Sequence, residues 1–246
     1  MKQEEMIINN WNKLIELIKD TFSGDRQSSL LEMYNHFKDR MILTPASSHN
    51  YFHNCHPGGY VEHILNIVQY AREIKDLWYN NGAEIDYTDE ELIFAAMHHD
   101  LGKIGDMDND HYIPNPSEWH RINQGKIYTT NPDMQFMSPP DRAIWILNQF
   151  GIKMTINEML GIKLADGMYD EGNIQYLKSY AKEKKLKSNM PHIIHQADMM
   201  TTRIEYEQTS VTDESKPSRI SKTSKKKIKN NSSVEELKSE FDKLFA

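Results

Sequence analysis

Apolar residues recur at intervals of three and four along most of this chain, a spacing that is typical of amphipathic helices. The first such stretch, residues 6–22, places its apolar side chains on one face. No segment shows convincing alternation of apolar and polar residues, the pattern that would indicate a β-strand. We therefore predict an all-α fold, with helices over residues 6–22, 28–40, from beyond Gly59 to Tyr79, from Thr88 to about His99, 139–150, 155–166, 174–186 and 191–207.

Two stretches interrupt the helical pattern. Residues 43–57 are rich in histidine and turn-forming residues and stop at Gly58-Gly59. A second stretch, from Asp106 to about Pro140, is polar and irregular. Long connections without regular structure are uncommon unless they serve as lids or binding loops, so both stretches are candidates for a functional role.

The composition fits one large domain, alone or with short appendages. The chain has 246 residues, of which 38% are hydrophobic, enough for a sizeable core. Its single cysteine, Cys55, excludes an internal disulfide framework and a thiolate zinc cluster. No apolar run approaches the roughly 20 residues of a membrane helix, and the first residues lack the layout of a signal peptide. A cytoplasmic location without a membrane partner is expected.

The charge is distributed unevenly along the chain. Residues 1–214 contain 20 Lys and Arg against 32 Asp and Glu, whereas residues 215–231 contain seven basic residues and no acid. The acidic part is therefore not a general binder of polyanions. Any phosphate that it handles is expected to be bound locally, by a metal and a few basic side chains.

The C-terminal part of the sequence is predicted to be an appendage. Residues 208–232 lack the aromatic residues of a folded core and are predicted to form a disordered basic linker. Residues 233–246 predict a short capped helix with Leu237, Phe241 and Leu244 on one side. Its layout is similar to the C-terminal peptides by which phage replication and transcription proteins hold a sliding clamp. The alternatives are a helix that docks on its own domain and one that frays.

The most unusual pattern lies where an apolar run enters a polar cluster. Residues 92–97 are all apolar, and His98-His99-Asp100-Leu101-Gly102-Lys103 follow directly. Burying histidine and aspartate without partners is costly, and a bound cation would remove that cost. For an isolated His-Asp pair, a capped helix end with one satisfied core histidine would be the better interpretation, so the choice depends on the rest of the chain.

Two residues elsewhere favour a metal. His63 lies in the helix predicted after the double glycine, and Asp198 lies in the apolar helix over residues 191–207. Imidazole together with carboxylate suits divalent ions of borderline hardness such as Mn²⁺, Fe²⁺, Co²⁺ or Ni²⁺, and Mg²⁺ is a further candidate. Alternatives remain: His63 as a packing or surface histidine, Asp198 as the partner of Arg203, and His195 as a rival ligand.

The order His63, then His99-Asp100-Leu101-Gly102-Lys103, then Asp198 resembles the HD superfamily of metal-dependent phosphohydrolases. The resemblance covers roughly residues 43–207, with residues 1–42 expected to pack on that domain as N-terminal helices. It implies a compact helical bundle whose divalent metal activates a water and is bound by His63, His99, Asp100 and Asp198. Asp100 would then be catalytic, and so would Lys103, whose cation would contact substrate phosphate oxygens. The alternative for Lys103 is an ordinary solvated lysine.

Residues 53–63 carry a second, local resemblance. They are similar to the His-His-x-x-x-Gly-Gly-Leu-x-Glu-His stretch of HD-type 3′–5′ exoribonucleases, with His53 at the first histidine and Asn54 in place of the second. The predicted substrate contacts are Lys103, His53, His56, His120 and Asp166. A loop histidine such as His53 or His56 can equally be a plain surface residue, and His98 is expected to pack or to support its neighbour.

One metal site is predicted, and a second stays open. HD proteins with two metals have extra histidines between the dyad and the last aspartate, and His120 is a candidate for that role. Residues 165–170 are similar to a His-His-Gly or His-Asp-Gly segment of those proteins, but Ala165 stands at the first position. A second ion would therefore bind weakly through Asp166, which otherwise would place a water or contact a substrate hydroxyl.

Three functions follow from these patterns. The first is hydrolysis of a phosphate ester or anhydride of a nucleotide by a metal-activated water, favoured because the acidic part suits a small substrate. The second is a 3′–5′ exonuclease on single-stranded RNA or DNA, supported by the double-glycine stretch and the basic linker. The third is a non-catalytic HD-fold binding module, and the presence of all four expected ligands argues against it.

Overall fold

The structure, a computed structural model, describes residues 3–212, and residues 209–212 by their backbone alone. Most of these residues are helical, so the predicted helical fold is confirmed at that level. The α-helices are α1 (Gln3–Thr21), α2 (Gly24–His36), α3 (Lys38–Met41), α4 (Gly59–Asn80), α5 (Asp89–His98), α6 (Glu118–Gln124), α7 (Pro139–Gln149), α8 (Ile156–Lys163), α9 (Ile174–Leu177) and α10 (Met190–Thr212). Single 3₁₀ turns span Leu101–Ile104, Gly167–Tyr169 and Glu171–Asn173.

Helix α5 lies at the centre of the bundle. It packs against α4, α8 and α10, and α10 in turn packs along α4. Every residue from Leu92 to His98 is buried, which is the result expected for a helix without a polar face. Thr88 and Glu91 form a capping box at its first turn, so the helix begins where the sequence predicts. The polar cluster that follows α5 is therefore delivered into the protein interior.

The N-terminal helices cover one side of this bundle. Helix α1 packs on α4 and α2, burying Trp11, Leu14 and Ile18. Arg26 of α2 pairs with Glu158 of α8 at 2.5 Å and with Glu90 of α5 at 2.9 Å. The Arg26 guanidinium also lies 4.2 Å from the centre of the Phe94 ring. These contacts connect α2 to the central helices through a partly buried cation.

The region between α5 and α7 is more regular than predicted. Strands β1 (Tyr112–Pro114) and β2 (Tyr128–Thr130) pair antiparallel, with Tyr112 opposite Thr130, and α6 lies between them. The expectation of no strands was wrong here, because three-residue strands are too short to show a periodicity of two. Aromatic and β-branched residues at 112–113 and 127–130 carry the weak signal that was present.

Helix ends differ from the predictions in two other places. The helix predicted over residues 174–186 is only Ile174–Leu177, and bends and turns follow it. The later half of that stretch is lysine-rich and has no apolar stripe to pack. Helix α10 continues to Thr212, five residues beyond its predicted end.

The predicted linker beyond Thr212 and the predicted helix over residues 233–246 lie outside the described residues. Among the helices of residues 3–212, none combines the length and apolar character that crossing a membrane requires.

Candidate metal centre

Three helices bring the predicted ligands together. Helix α4 starts after Gly58, whose φ of 81° lies in the left-handed region that favours glycine. The next glycine, Gly59, has no room for a Cβ beside the Asn54 backbone. His63 follows one turn later and is fully buried. His99 and Asp100 stand at the end of α5, and Asp198 lies inside α10, so each side chain comes from an element of the central bundle.

Four atoms of these side chains converge. The His63 Nε2 atom lies 3.5 Å from Oδ1 of Asp198 and 3.7 Å from Oδ2 of Asp100. The His99 Nε2 atom lies 3.5 Å from Oδ2 of Asp100 and 3.9 Å from Oδ1 of Asp198. The structure thus places the four predicted ligands in one cluster, with an imidazole nitrogen facing a carboxylate oxygen at each approach.

The opposite ring nitrogens fix the orientation of both imidazoles. His99 Nδ1 donates to the Ala96 carbonyl oxygen at 2.9 Å, which leaves the lone pair of the neutral ring on Nε2. His63 Nδ1 donates to Oε2 of Glu205 at 2.8 Å, and Asn66 Nδ2 donates to the other Glu205 oxygen at 2.8 Å. Carboxylate or carbonyl partners of this kind orient histidines that bind metals.

The donor atoms fit a divalent cation. Both Nε2 atoms are buried without a hydrogen-bond partner, a state that is rare in proteins unless another group satisfies the atom. Metal–ligand bonds of about 2.1 Å place neighbouring donors about 3.0 Å apart in an octahedron and about 3.4 Å apart in a tetrahedron. The observed separations need only a small contraction to reach these values. The donors of His63, His99 and Asp198 form one group that could hold a metal ion.

The charges in the cluster are strongly coupled. Lys103 Nζ lies 2.6 Å from Oδ2 of Asp100. Burial alone would raise the pKa of Asp100, but Lys103 and His99 outweigh it and hold that pKa well below its usual value. Burial likewise opposes the charge on His63, yet Asp198 and Glu205 raise its pKa to about 9. The carboxylates therefore give the site a negative electrostatic potential, which attracts a cation.

The loop before α4 covers one side of the cluster. The ring of His53 lies 4.8 Å from the ring of His63, and its Nε2 is buried without a partner. Burial, together with His63 and Lys103, lowers the pKa of His53 to about 3, so its imidazole is neutral. Of the two loop histidines predicted to contact substrate, His53 is the one that lies at the cluster.

His56 points elsewhere. Its Nε2 lies 3.7 Å from Oε2 of Glu62, and its Nδ1 faces the Pro57 carbonyl. Asp166 as a whole is exposed, but partial desolvation of its carboxyl group, followed by the nearby Asp100 carboxylate, raises its pKa. The carboxylates of the cluster therefore act electrostatically on Asp166, which is itself in contact with solvent.

The other histidines considered from the sequence bond to groups outside the four predicted ligands. His120 bonds to Ser117 Oγ at 2.6 Å on α6 and belongs to no metal-capable group among the described residues. His195 lies 2.8 Å from the Ala165 carbonyl. His98 is held by Phe94 and Tyr34 and supports the helix end by packing.

Glu205 is a residue of the candidate site that the sequence patterns did not identify. It is buried, and it contacts His63 from α10, the helix that also carries Asp198. The two acids are seven residues apart, or two helical turns, and therefore share a face. This spacing was the sequence signal that could have identified Glu205.

Comparisons with known proteins give no match: no family model, no curated protein and no solved structure is similar to this chain. The chemistry of the site therefore has to be inferred from its own geometry.

Proposed function

We propose that this chain is a metal-dependent phosphohydrolase of the HD type that cleaves a phosphate ester or anhydride of a nucleotide. The observation that carries the proposal is the burial of two unpartnered imidazole nitrogens against two aspartates. A purely structural cluster would satisfy those nitrogens with hydrogen-bond partners from the protein. Four protein donors are also fewer than the six of an octahedral ion, which leaves room for water and a substrate oxygen.

The roles of the side chains follow from their positions. His63, His99, Asp100 and Asp198 would hold the ion. A divalent ion in this place supplies a water of lowered pKa and neutralises charge on phosphoryl oxygens. The other contributions to catalysis would come from side chains around the ion.

Lys103 is the cation nearest to the ligands. Burial opposes its charge, but Asp100 raises the pKa of Lys103 above its usual value and keeps the ammonium charged. A fixed cation beside the cluster would stabilise the negative charge that develops on a transferring phosphoryl group. Glu205 would keep His63 in the tautomer that presents Nε2. His53, neutral and adjacent, would donate or accept a hydrogen bond at a substrate oxygen.

The acidic balance of residues 1–214 supports a small phosphate substrate over a long nucleic acid, because an acidic surface repels a polyanion. Cleavage of a single-stranded end remains the competing chemistry at the same four ligands.

The test compares metal binding with turnover. Protein stripped of metal and reloaded with Mn²⁺, Fe²⁺, Co²⁺, Ni²⁺ or Mg²⁺ would be assayed on nucleoside mono-, di- and triphosphates, cyclic nucleotides and labelled oligonucleotides. We expect the wild type to hydrolyse nucleotides. Asp100→Ala should lose more than about 100-fold in activity, since replacing even a residue that only contacts a metal ligand lowers metal affinity or activity by about 10- to 100-fold.

The matched control is Asp76→Ala. Asp76 is an exposed aspartate on α4, thirteen residues or about 20 Å along the helix from His63. Absence of both metal binding and hydrolysis in the wild type would refute the proposal. Shortening of oligonucleotides without turnover of mononucleotides would replace it with the exonuclease.

A further inference from the structure

The loop that ends at His53 presents three aromatic rings in mutual contact. The ring centres of His49, Tyr51 and Phe52 lie 4.9–5.3 Å apart. Tyr51 and Phe52 are 47% and 44% exposed, although both have neighbours to pack against. Their rings meet at 74°, so they pack edge to face while almost half of each residue stays exposed. Large apolar side chains that are grouped and exposed mark binding surfaces.

The loop is held in place by the strand region. Asn50 N donates to the Gly125 carbonyl at 2.8 Å, and Tyr128 N donates to the Ser48 carbonyl at 3.0 Å. Gly125, with a φ of 59°, has no room for a Cβ against Asn50. The rings therefore belong to a pre-organised surface, and binding to it costs little ordering.

This surface begins one residue from the candidate metal centre. Phe52 directly precedes His53, whose ring lies 4.8 Å from that of His63. Four residues of chain span at most about 14 Å, so His49 lies within that distance of His53. A ligand that rests on the rings can therefore extend towards the four metal ligands.

The charges around the rings favour an anionic ligand. Residues 41–61 contain no Asp, Glu, Lys or Arg, and residues 119–132 contain Arg121 and Lys126 but no acid. These two segments pack together through the bridge between His49 and Lys126. Because these two segments carry no carboxylate and include Lys126, a phosphate-bearing ligand meets no repulsion from them, although the chain has a net charge of -7.

We infer that His49, Tyr51 and Phe52 form a stacking platform for the nucleobase of the substrate. The substrate class is then a nucleotide with an unpaired base, whose phosphate points towards the cluster. The direction of the phosphate rests on the proposed function, whereas the platform is testable without turnover. Stacking on aromatic side chains tolerates every base, because each base has a π-face. The platform therefore selects nucleotides over base-free phosphates without selecting one base.

The binding test uses metal-free protein in EDTA, so that no hydrolysis occurs. The probe is 2-aminopurine riboside 5′-monophosphate, whose fluorescence falls when the base stacks. We expect quenching by the wild type and a Kd weaker by about 5- to 150-fold in Phe52→Ala and Tyr51→Ala, the range found for loss of one stacking ring. Phe52→Tyr keeps a ring and should restore the affinity. Both positions are exposed, so the variants should fold.

The control variant is Tyr79→Ala. Tyr79 is 64% exposed and lies sixteen residues, or about 24 Å, along α4 from His63. Two results would overturn the platform. One is an unchanged affinity for the probe in Phe52→Ala and Tyr51→Ala, and the other is a wild type that gives no quenching at millimolar probe. Competition with ribose 5-phosphate, which has no base, shows how much of the affinity comes from the phosphate. It should displace the probe poorly.

The turnover test then separates the two proposals. In Mn²⁺-loaded protein, Phe52→Ala should raise KM for nucleotides by a larger factor than it raises KM for ribose 5-phosphate or pyrophosphate. Equal losses on substrates with and without a base would count against the platform. If the wild type hydrolyses nothing, the proposed function fails, while the fluorescence titration still decides whether the rings bind a base.

Discussion

Replacing Glu205 tests whether the second carboxylate on α10 serves the metal centre. In the structure, Glu205 accepts from His63 Nδ1 and from Asn66 Nδ2, each at 2.8 Å. The change Glu205→Gln keeps the size and one acceptor oxygen but removes the charge. The change Glu205→Ala removes the acceptor as well, and leaves His63 Nδ1 and the Asn66 amide without this partner.

The expected magnitudes follow from these contacts. Partners of metal-binding histidines contribute about 10- to 100-fold in metal affinity, or about 1.4–2.7 kcal/mol. A hydrogen bond to a charged group contributes about 1.5–3 kcal/mol, which is the same range. We expect a loss near the lower end for Glu205→Gln, because a neutral acceptor remains, and near the upper end for Glu205→Ala.

The assay is competition between the protein and a fluorescent chelator for Co²⁺ or Mn²⁺, at one pH for all variants. Glu207→Gln is the matched control, since Glu207 lies on the same helix but is exposed. Wild-type affinity in both Glu205 variants, with unfolding free energies unchanged, would show that Glu205 does not orient His63. The reasoning about the tautomer of His63 would then be refuted.

Three further predictions concern stability. Burial lowers the pKa of His98 to about 3. Between pH 6.5 and pH 5 the unfolded chain binds a proton at His98 that the folded chain does not bind, so this residue lowers the free energy of unfolding by about 1.6 kcal/mol over that range. Urea titrations across this range give the free energy of unfolding as a function of pH. In His98→Gln the slope of that plot should fall by the equivalent of about one proton, and an unchanged slope would contradict the low pKa of His98. Arg26→Met should destabilise by about 3–5 kcal/mol, because it leaves the fully buried Glu158 without its cation. Arg26→Met combined with Glu158→Leu should recover most of that loss, and no recovery would show that the pair is not the cause. Gly102→Ala should cost about 1–3 kcal/mol, because its Cβ would overlap the Pro139 carbonyl oxygen, and a wild-type melting temperature would contradict that packing.

Local patterns predicted that the four expected ligands would face the interior, and the resemblance to the HD pattern predicted that they would lie together. The apolar run of α5 identifies a buried helix, and a histidine and an aspartate at its end need a partner in the interior. His63 and Asp198 were predictable for the same reason, as polar residues in apolar helices. Helical periodicity sets the face of each residue, so such residues point inward whatever the topology.

The remaining features depend on contacts between distant segments. No local pattern distinguishes His53, which lies beside His63, from His56, which faces Glu62. Strands β1 and β2 form because residues fourteen to eighteen positions apart pair with one another, and a three-residue strand is too short to show a periodicity of two. The predicted helix beyond Leu177 fails for the opposite reason, since helical propensity without an apolar face gives no packing energy.

The energetics of the cluster connect the fold to the proposed chemistry. Burying two imidazoles and two aspartates where α4, α5 and α10 meet lowers stability unless the charges and ring nitrogens are satisfied. Lys103 offsets the charge of Asp100, and a proton on His63 would offset part of the charge of Asp198 and Glu205. A proton is a poor solution, because the nearest carboxylate oxygen lies 3.5 Å from His63 Nε2, and His99 Nε2 would still lack a partner. One divalent ion would satisfy both nitrogens and both aspartates together. The arrangement that is hardest to explain as packing is therefore the one that a metal-dependent reaction requires.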